Sequence, residues 1–423
     1  MGQQDQRDTE ADEQGRAEPM SQRVRHLLAV ARAAFVARGL DAVSIDAIAR
    51  AGGVSKETIY RHFADKEALF RAALEAAGEE FTARAEAVHR AAADPRIELA
   101  ELARAILDSA QDQGMFSALW IAASVAQRMP DLATSLQEGQ WRRMEPVRHA
   151  LEDYARRQGV TRPVPLDMAL DFGSLAVEGP AVLMGFPSPP PADRQLISER
   201  VARLFSQGIT GAIATGEDAV SGDADAPVDR PVAAPHHIRT LLDVAGRHFL
   251  DQGYEGASLD LIGAEARVGR GTLYRHFGSK AGLFAAAVRQ RAHELVPATL
   301  PTLPQAVPDC VALVHFVEEA IGSLASESSI QLHRIAISQS RRDGESARAV
   351  FAIVRAPWVA ALSDWLASLG LRGDLSWYGR ELLVLAIRGN RLFAGGGPVS
   401  PADRRLFARR AVTIFLDGFV GLL

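Results

Sequence analysis

Residues 54–70 read VSKETIYRHFADKEALF, and residues 268–284 read VGRGTLYRHFGSKAGLF, 214 positions further on. Aligned without a gap, 27–74 and 241–288 share 20 identities in 48 positions. A period of that length is the size of a domain and far too long for a solenoid repeat, so the 423-residue chain reads as a tandem duplication. The echo recurs at the far end of each half. PADRQLISERVARLFSQGI at 191–209 returns as PADRRLFARRAVTIFLDGF at 401–419. Pro191 and Pro401 suit the first turn of a helix, and Leu196, Val201, Leu204, Phe205 and Leu406, Ala411, Ile414, Phe415 are expected to form matching apolar stripes.

Within the first copy, Leu27, Val30, Ala31, Ala34 and Phe35 make an amphipathic helix that stops at Gly39. Ser44 is placed to cap a second helix over 45–51, which buries Ile45, Ile48 and Ala49, and Asp46 lies near its positive end. Gly52 and Gly53 supply a turn that accepts positive φ. Ser55 caps a third helix, and Asp65 a fourth that begins at Lys66. Two short helices joined by a glycine turn behind a supporting helix form the helix-turn-helix pattern. Taken singly, Tyr60 and His62 read as polar aromatics of a core. Two observations favour an outward role. The string Thr-x-Tyr-Arg-His-Phe recurs at 272–277, and the only three lysines of the chain, Lys56, Lys66 and Lys280, all fall in the two motifs.

The stretch IDAIARAGGVSKETIYRHFADKEALF resembles the DNA-binding motif of the TetR family of transcriptional regulators, and the second copy is similar but departs from it at Arg267 and Gly269. The resemblance implies an N-terminal three-helix DNA-binding unit followed by a helical bundle that binds an effector and dimerises through its last two long helices; both bundles look closest to the AefR-like regulatory domains. Carried over position by position, it implies that Lys56, Glu57 and Tyr60 face base edges, with Thr58, Tyr60, His62 and Lys66 on phosphates. Arg270, Gly271 and Tyr274 take the base-reading places in the second copy, with Thr272, Tyr274, His276 and Lys280 on the backbone. Ser44, Ser55, Arg61 and Arg275 complete the expected DNA-binding set. Arg267 replaces Gly53 in the turn, where a non-glycine residue held left-handed costs about 1–2 kcal/mol.

Charge is distributed accordingly. The chain carries a net −5, yet residues 1–20 and 215–235 each hold −4, whereas 21–70 holds eight Lys/Arg against five Asp/Glu. Polar residues 1–20 read as a disordered tail, not a secretory signal, and the Pro/Gly/Asp/Ala-rich 215–235 as a linker with a coil span of roughly 25 Å. No apolar run of membrane-spanning length is evident, and the lone Cys310 permits neither an intrachain disulfide nor a multi-cysteine metal motif, so cytoplasmic residence without a cofactor or metal is expected. Asp-Phe-Gly at 171–173 lies in a helical stretch without a glycine-rich loop, and Gly269-x-Gly271 follows no strand, so neither kinase nor dinucleotide chemistry is indicated.

The expectation is an all-α, non-enzymatic chain of two tandem units. Its parts are a tail at 1–20, helix-turn-helix domains at 21–74 and 236–288, regulatory bundles at 75–214 and 289–423, and the linker at 215–235. Helices at 165–186 with 191–213 and at 376–394 with 401–422 are expected to close the bundles and to pair, either internally or between two chains. The expected partners are double-stranded DNA with unlike half-sites and a small-molecule effector, with no membrane. Phe116, Trp120, Trp141, Met144, Phe172, Trp358 and Trp377 are the candidates for the effector pocket, although each singly is also an ordinary core residue. The reading is a ligand-responsive repressor. The alternative is a ligand- or protein-binding helical module whose second helix-turn-helix no longer reads DNA.

Overall fold

A computed structural model describes residues 22–91, 94–111, 120, 123, 131, 134, 141, 143–213, 235–389, 393 and 397–423. The expected tail, the expected linker apart from Pro235, and Phe116 lie outside the described residues. Every regular element among the described residues is helical, as the periodicity requires. The chain divides into two compact units, Met1–Ala77 and Gly78–Leu423.

The first unit holds α1 (Gln22–Ala42), α2 (Ile45–Ala51), α3 (Lys56–His62) and the start of α4 (Lys66–Ala91). Leu27, Leu28, Ala31 and Phe35 of α1 are buried with Ile48, Ile59, Leu69 and Phe70, and Phe35 meets Phe70 edge-on at 5.2 Å. α1 runs on to Ala42, three residues beyond the expected stop at Gly39.

In the second unit, α5 (Pro95–Gln111), α6 (Glu145–Arg157), α7 (Leu166–Ala176) and α8 (Pro191–Ile213) belong to the first bundle. The second helix-turn-helix follows as α9 (His236–Gly256), α10 (Leu259–Glu265), α11 (Arg270–Phe277) and α12 (Lys280–Glu294). There Phe249 meets Phe284 edge-on at 5.1 Å, the same contact as Phe35 with Phe70. The second bundle comprises α13 (Cys310–Leu324), α14 (Glu327–Gln339), α15 (Gly344–Ser368), α16 (Leu375–Ala386) and α17 (Pro401–Asp417). Helix α15 is long and apolar enough to cross a membrane, but 56% of its apolar window is buried inside the protein, and Val350, Val354, Trp358, Leu362 and Trp365 place it in the core.

The two bundles pack on each other. α8 lies against α5 of its own bundle and against α17 of the other, α17 likewise against α13, and α7 faces α16. With 191 matched to 401, the contacts come in related pairs. Gly208 (φ 68) sits on the backbone of Leu416, so that a Cβ there would fall 2.1 Å from the Leu416 carbonyl oxygen. Its counterpart Gly418 (φ 79) sits on Ser206, whose carbonyl oxygen would lie 2.4 Å from a Cβ. In the same way Gly179 approaches Val384, and Gly389 approaches Ser174. That reciprocity, residue i on j and the equivalent of j on the equivalent of i, is the mark of an isologous two-fold interface. Phe419 then inserts between Phe205 (5.3 Å, stacked) and Tyr154 (5.8 Å) of the first bundle.

Two expectations need correction. The closing helices are shorter than the spans 165–186 and 376–394, because α7 ends before Glu178 (φ 52) and α16 before Arg388 (φ 57). Both residues turn the chain left-handed, which ends the i to i−4 ladder and carries Gly179 and Gly389 onto the facing helix. Leu406 is 62% exposed and Leu196 only half-buried, since the first two turns of α17 face solvent; the buried stripes are Ile197, Val201, Leu204, Phe205 and Ala408, Ala411, Ile414, Phe415.

Gly208→Ala is expected to lower stability by about 2–4 kcal/mol, combining left-handed strain with overpacking against backbone that cannot move aside. Gly159→Ala, at φ 81 in open space, isolates the strain alone and should cost about 1–2 kcal/mol. Urea unfolding of the two variants checks the difference.

Candidate nucleic-acid interface and the regulatory core

Each recognition helix is positioned from its N-terminus. Ser44 Oγ accepts from Ala47 N at 3.2 Å to start α2, and Ser55 Oγ accepts from Thr58 N at 3.1 Å to start α3. The Ser55 and Thr58 hydroxyls also hydrogen-bond to each other at 2.9 Å. Between the helices, Gly53 takes φ 62 and its counterpart Arg267 takes φ 54, so the second copy keeps the turn and bears the strain the sequence implied. Gly269 leaves α11 without a side-chain cap, where a Ser-to-Gly exchange costs only a few tenths of a kcal/mol.

Ile59 and Leu273 are buried, and the opposite face of each helix is open. Tyr60 is 47% exposed and Tyr274 50%. Lys56, Glu57, Arg61 and His62 are exposed, as are Arg270, Gly271, Arg275 and His276, while Thr58 and Thr272 are half-buried. All of these expected contacts therefore lie on or beside one short helix in each copy. The outward placement of Tyr60 and His62 departs from the core alternative.

Four of the basic residues have partners that the sequence analysis did not assign. Lys56 Nζ lies 3.2 Å from the Asp46 carboxylate, and Arg270 forms a two-pronged pair with Asp260. Asp260 is held below the usual carboxylate range, chiefly by that hydrogen bond. The identical ten-residue spacing of acid and base in both copies was a readable signal. Lys66 donates to the Val43 carbonyl at 3.4 Å; Lys280 donates to the Glu255 carbonyl at 3.1 Å and lies over the Tyr254 ring. Each of these ammonium groups bonds to a backbone carbonyl of its own motif, tying α4 to the residue after α1 and α12 to the last turn of α9.

The expected effector residues that are described lie at several places in the two bundles. Trp120 is buried but spends its Nε1–H on the Ile337 carbonyl (2.8 Å) and Ser340 Oγ (3.1 Å) of the second bundle, under the Arg341 guanidinium. Trp141 is 37% exposed. Met144 and Phe172 are buried in the first bundle, the latter edge-on to Phe205 at 5.4 Å. Trp377 lies beneath Arg200 at 4.1 Å, and Trp358 meets Phe316 edge-on at 5.2 Å; neither indole N–H has a partner among the described residues.

Around Trp358 the core is polar in an unusual way. His333, fully buried, donates from Nδ1 to the Ser329 carbonyl at 2.7 Å, which leaves Nε2 to accept from Arg355 Nη1 at 2.8 Å. Burial, reinforced by the neighbouring guanidinium, pulls the His333 imidazole down to about 3, so the ring is neutral. Burial alone lowers Arg355 to about 9, which leaves it charged at neutral pH.

Sequence profiles of the bacterial regulatory proteins of the tetR family match residues 27–73 and 241–287, and the C-terminal domain of AefR-like transcriptional repressors matches 311–419. A solved protein of Mesorhizobium loti MAFF303099, described as a TetR-family transcriptional regulator, is 20% identical over 44% of this chain and 97% of its own, with a TM-score of 0.36. At that score the overlay carries no weight, and the assignment rests on the profiles and the duplicated motif. The chain thus carries two TetR-family DNA-binding motifs and an AefR-like C-terminal domain, the make-up of a tandem TetR-like, DNA-binding transcriptional regulator.

The neutral state of His333 has a consequence for pH. Its folded pKa lies below its unfolded value, so below about pH 6.5 the unfolded chain binds the extra proton and stability falls as pH drops, by about 1.4 kcal/mol per unit from this one group until the folded pKa is reached. Urea unfolding at pH 7 and pH 5.5 should show that loss, and the His333→Gln variant should show a shallower dependence over the same interval.

Proposed function

We propose that the protein is a ligand-responsive repressor working as a single-chain pseudo-dimer, with one recognition helix contributed by each copy. The reciprocal contacts of α7, α8, α16 and α17 support internal pairing, because the surface that ordinary two-fold dimers use between chains is here occupied by the other half of the same chain. The working division is a helix-turn-helix at 21–74 and at 236–288, each followed by its regulatory bundle, with 215–235 joining the halves.

The DNA-contacting set is Ser44, Ser55, Lys56, Glu57, Thr58, Tyr60, Arg61, His62 and Lys66, with Arg270, Gly271, Thr272, Tyr274, Arg275, His276 and Lys280 in the second copy. The single observation that carries it is the pair of exposed tyrosines, Tyr60 and Tyr274, each backed by a buried aliphatic residue on the same short helix. An exposed phenol with no packing role is free to meet phosphate or a base edge. Because Lys56-Glu57 differs from Arg270-Gly271, the two half-sites differ in sequence, with Arg270 suited to a bidentate contact to guanine once it exchanges Asp260 for the base. Effector binding acts by population shift, favouring a bundle arrangement in which the two recognition helices no longer match adjacent major grooves.

Footprinting on DNA upstream of the protein's own coding region should reveal an imperfect palindrome, and sedimentation velocity one chain per operator. A perfect inverted repeat, or two chains on one operator, would argue against the pseudo-dimer. Tyr60→Ala and Tyr274→Ala should each weaken operator binding about tenfold or more, with the unfolding midpoint unchanged. If Tyr274→Ala alone had no effect, the second motif would be an interaction module and not a DNA reader.

A further inference from the structure

The second bundle contains a charge that no carboxylate among the described residues neutralises. Arg355 is 4% exposed, its Nη1 bonds to a neutral imidazole, and its Nη2 has no partner among the described residues. Burial lowers its pKa, and no carboxylate among the described residues offsets that. The comparison with other arginines of the unit is informative. Arg410 pairs with Asp171 at 2.7 Å, and Arg200, equally buried, has Asp374 at 3.7 Å. A buried guanidinium without a carboxylate is costly to keep, and such a cost is retained where something outside the chain completes the pair.

The surroundings indicate what that is. Phe351, Arg355 and Trp358 are spaced i, i+4 and i+7 along α15 and so share a face. Trp358 Nε1 is buried and, like Arg355 Nη2, has no acceptor among the described residues. Phe351 lies under the guanidinium at 3.9 Å, Phe316 meets Trp358, and Phe393 stacks on His333 at 4.9 Å. Two unused donors set among aromatic rings suit a single negative head group on an apolar body. A phosphate dianion would need further positive charge, and Arg355 has only a neutral histidine beside it.

We infer that the second bundle binds an organic carboxylate, its head group taken by Arg355 with Trp358 as the accompanying donor, and its apolar body placed against Phe316, Phe351 and Phe393. Its identification as the effector rests on the repressor reading; the binding itself does not. The site belongs to the second half alone. Matching Pro146 to Pro357 and Gly159 to Gly370 puts Met144 where Arg355 stands, and Met144 is buried without a charge to satisfy. One chain therefore takes one carboxylate.

Isothermal titration of the full-length protein with benzoate, 1-naphthoate and decanoate, each beside its primary amide, tests this. At least one carboxylate should bind at one per chain and raise the unfolding temperature, with its amide weaker by about tenfold or more, as expected when a charge-assisted hydrogen bond is lost. Arg355→Met, which copies the first half, should abolish that binding and leave the ligand-free unfolding temperature unchanged or higher. Trp358→Phe, which removes only the N–H, should weaken binding several-fold and guards against misfolding of the first variant. The inference is overturned if none of the three acids binds, if acid and amide bind alike, or if both variants bind as the wild type does. Mobility shifts on operator DNA run in parallel separate the two levels: binding without release from DNA would leave the site standing and remove its role as effector.

Discussion

The arrangement of the second unit depends on a backbone-to-backbone crossing. Where α8 and α17 meet, Gly208 rests on Leu416 and Gly418 on Ser206, with no side chain between the main chains. Close approach of this kind is possible only without Cβ atoms, and both residues also take positive φ, so two separate requirements select glycine at the same place. Once the crossing is fixed, the remaining contacts follow in pairs on either side of it. Phe205 and Phe419 stack beside it, and Gly179 and Gly389 bring the ends of α7 and α16 onto one another. The apolar stripes of α8 and α17 are then buried twice, against their own bundle and against the other. That double burial explains why the closing segments are the part of the bundles whose sequence echo is easiest to see.

Much of this was legible before any coordinates. The capped short helices, the glycine turn and the outward Tyr60 and Tyr274 follow from local rules: Ser44 and Ser55 cap as serines do, and Ile59 and Leu273 are the apolar residues of their helices that the core requires. What was not legible depends on tertiary partners. Nothing local distinguishes Leu406 from a core leucine; its exposure is set by how far α17 extends beyond the helices it packs on. Gly179-Pro180 and Gly389-Asn390 do mark the stops after α7 and α16, but nothing in the sequence shows that Glu178 and Arg388 themselves turn left-handed. The sequence offers Trp120 as a pocket residue, and it does not show that the indole N–H bonds to the Ile337 carbonyl of the other bundle.

The acid–base pairs at the recognition helices show how an exposed site can be ordered before it has a ligand. Asp46 sits in the first turn of α2, where the helix dipole favours an anion, and Asp260 does so in α10. Each holds the first basic residue of the recognition helix near the position from which it would reach the groove. Both pairs are well exposed and so weakly held in salt solution. On the proposed reading, DNA displaces the carboxylate, and the basic side chain reaches it with part of its conformational freedom already removed.

Fusing the two halves removes a constraint that binds every symmetric dimer. In a dimer of identical chains, a substitution on one side of the axis appears on the other; here each half can change alone. The interface records this directly. Asp171 pairs with Arg410, but at the related position Glu381 leaves Arg200 to Asp374 and Trp377, and both oxygens of its buried carboxyl have no partner among the described residues. Burial, with Glu178 nearby, pushes that carboxyl well above the usual range, so protonation spares the protein an isolated buried anion. The same freedom separates Gly53 from Arg267 in the turn, Lys56 from Arg270 at the start of the following helix and Met144 from Arg355 in the bundle. The glycines at the crossing keep their counterparts, because neither half can change there without driving a side chain into the main chain of the other.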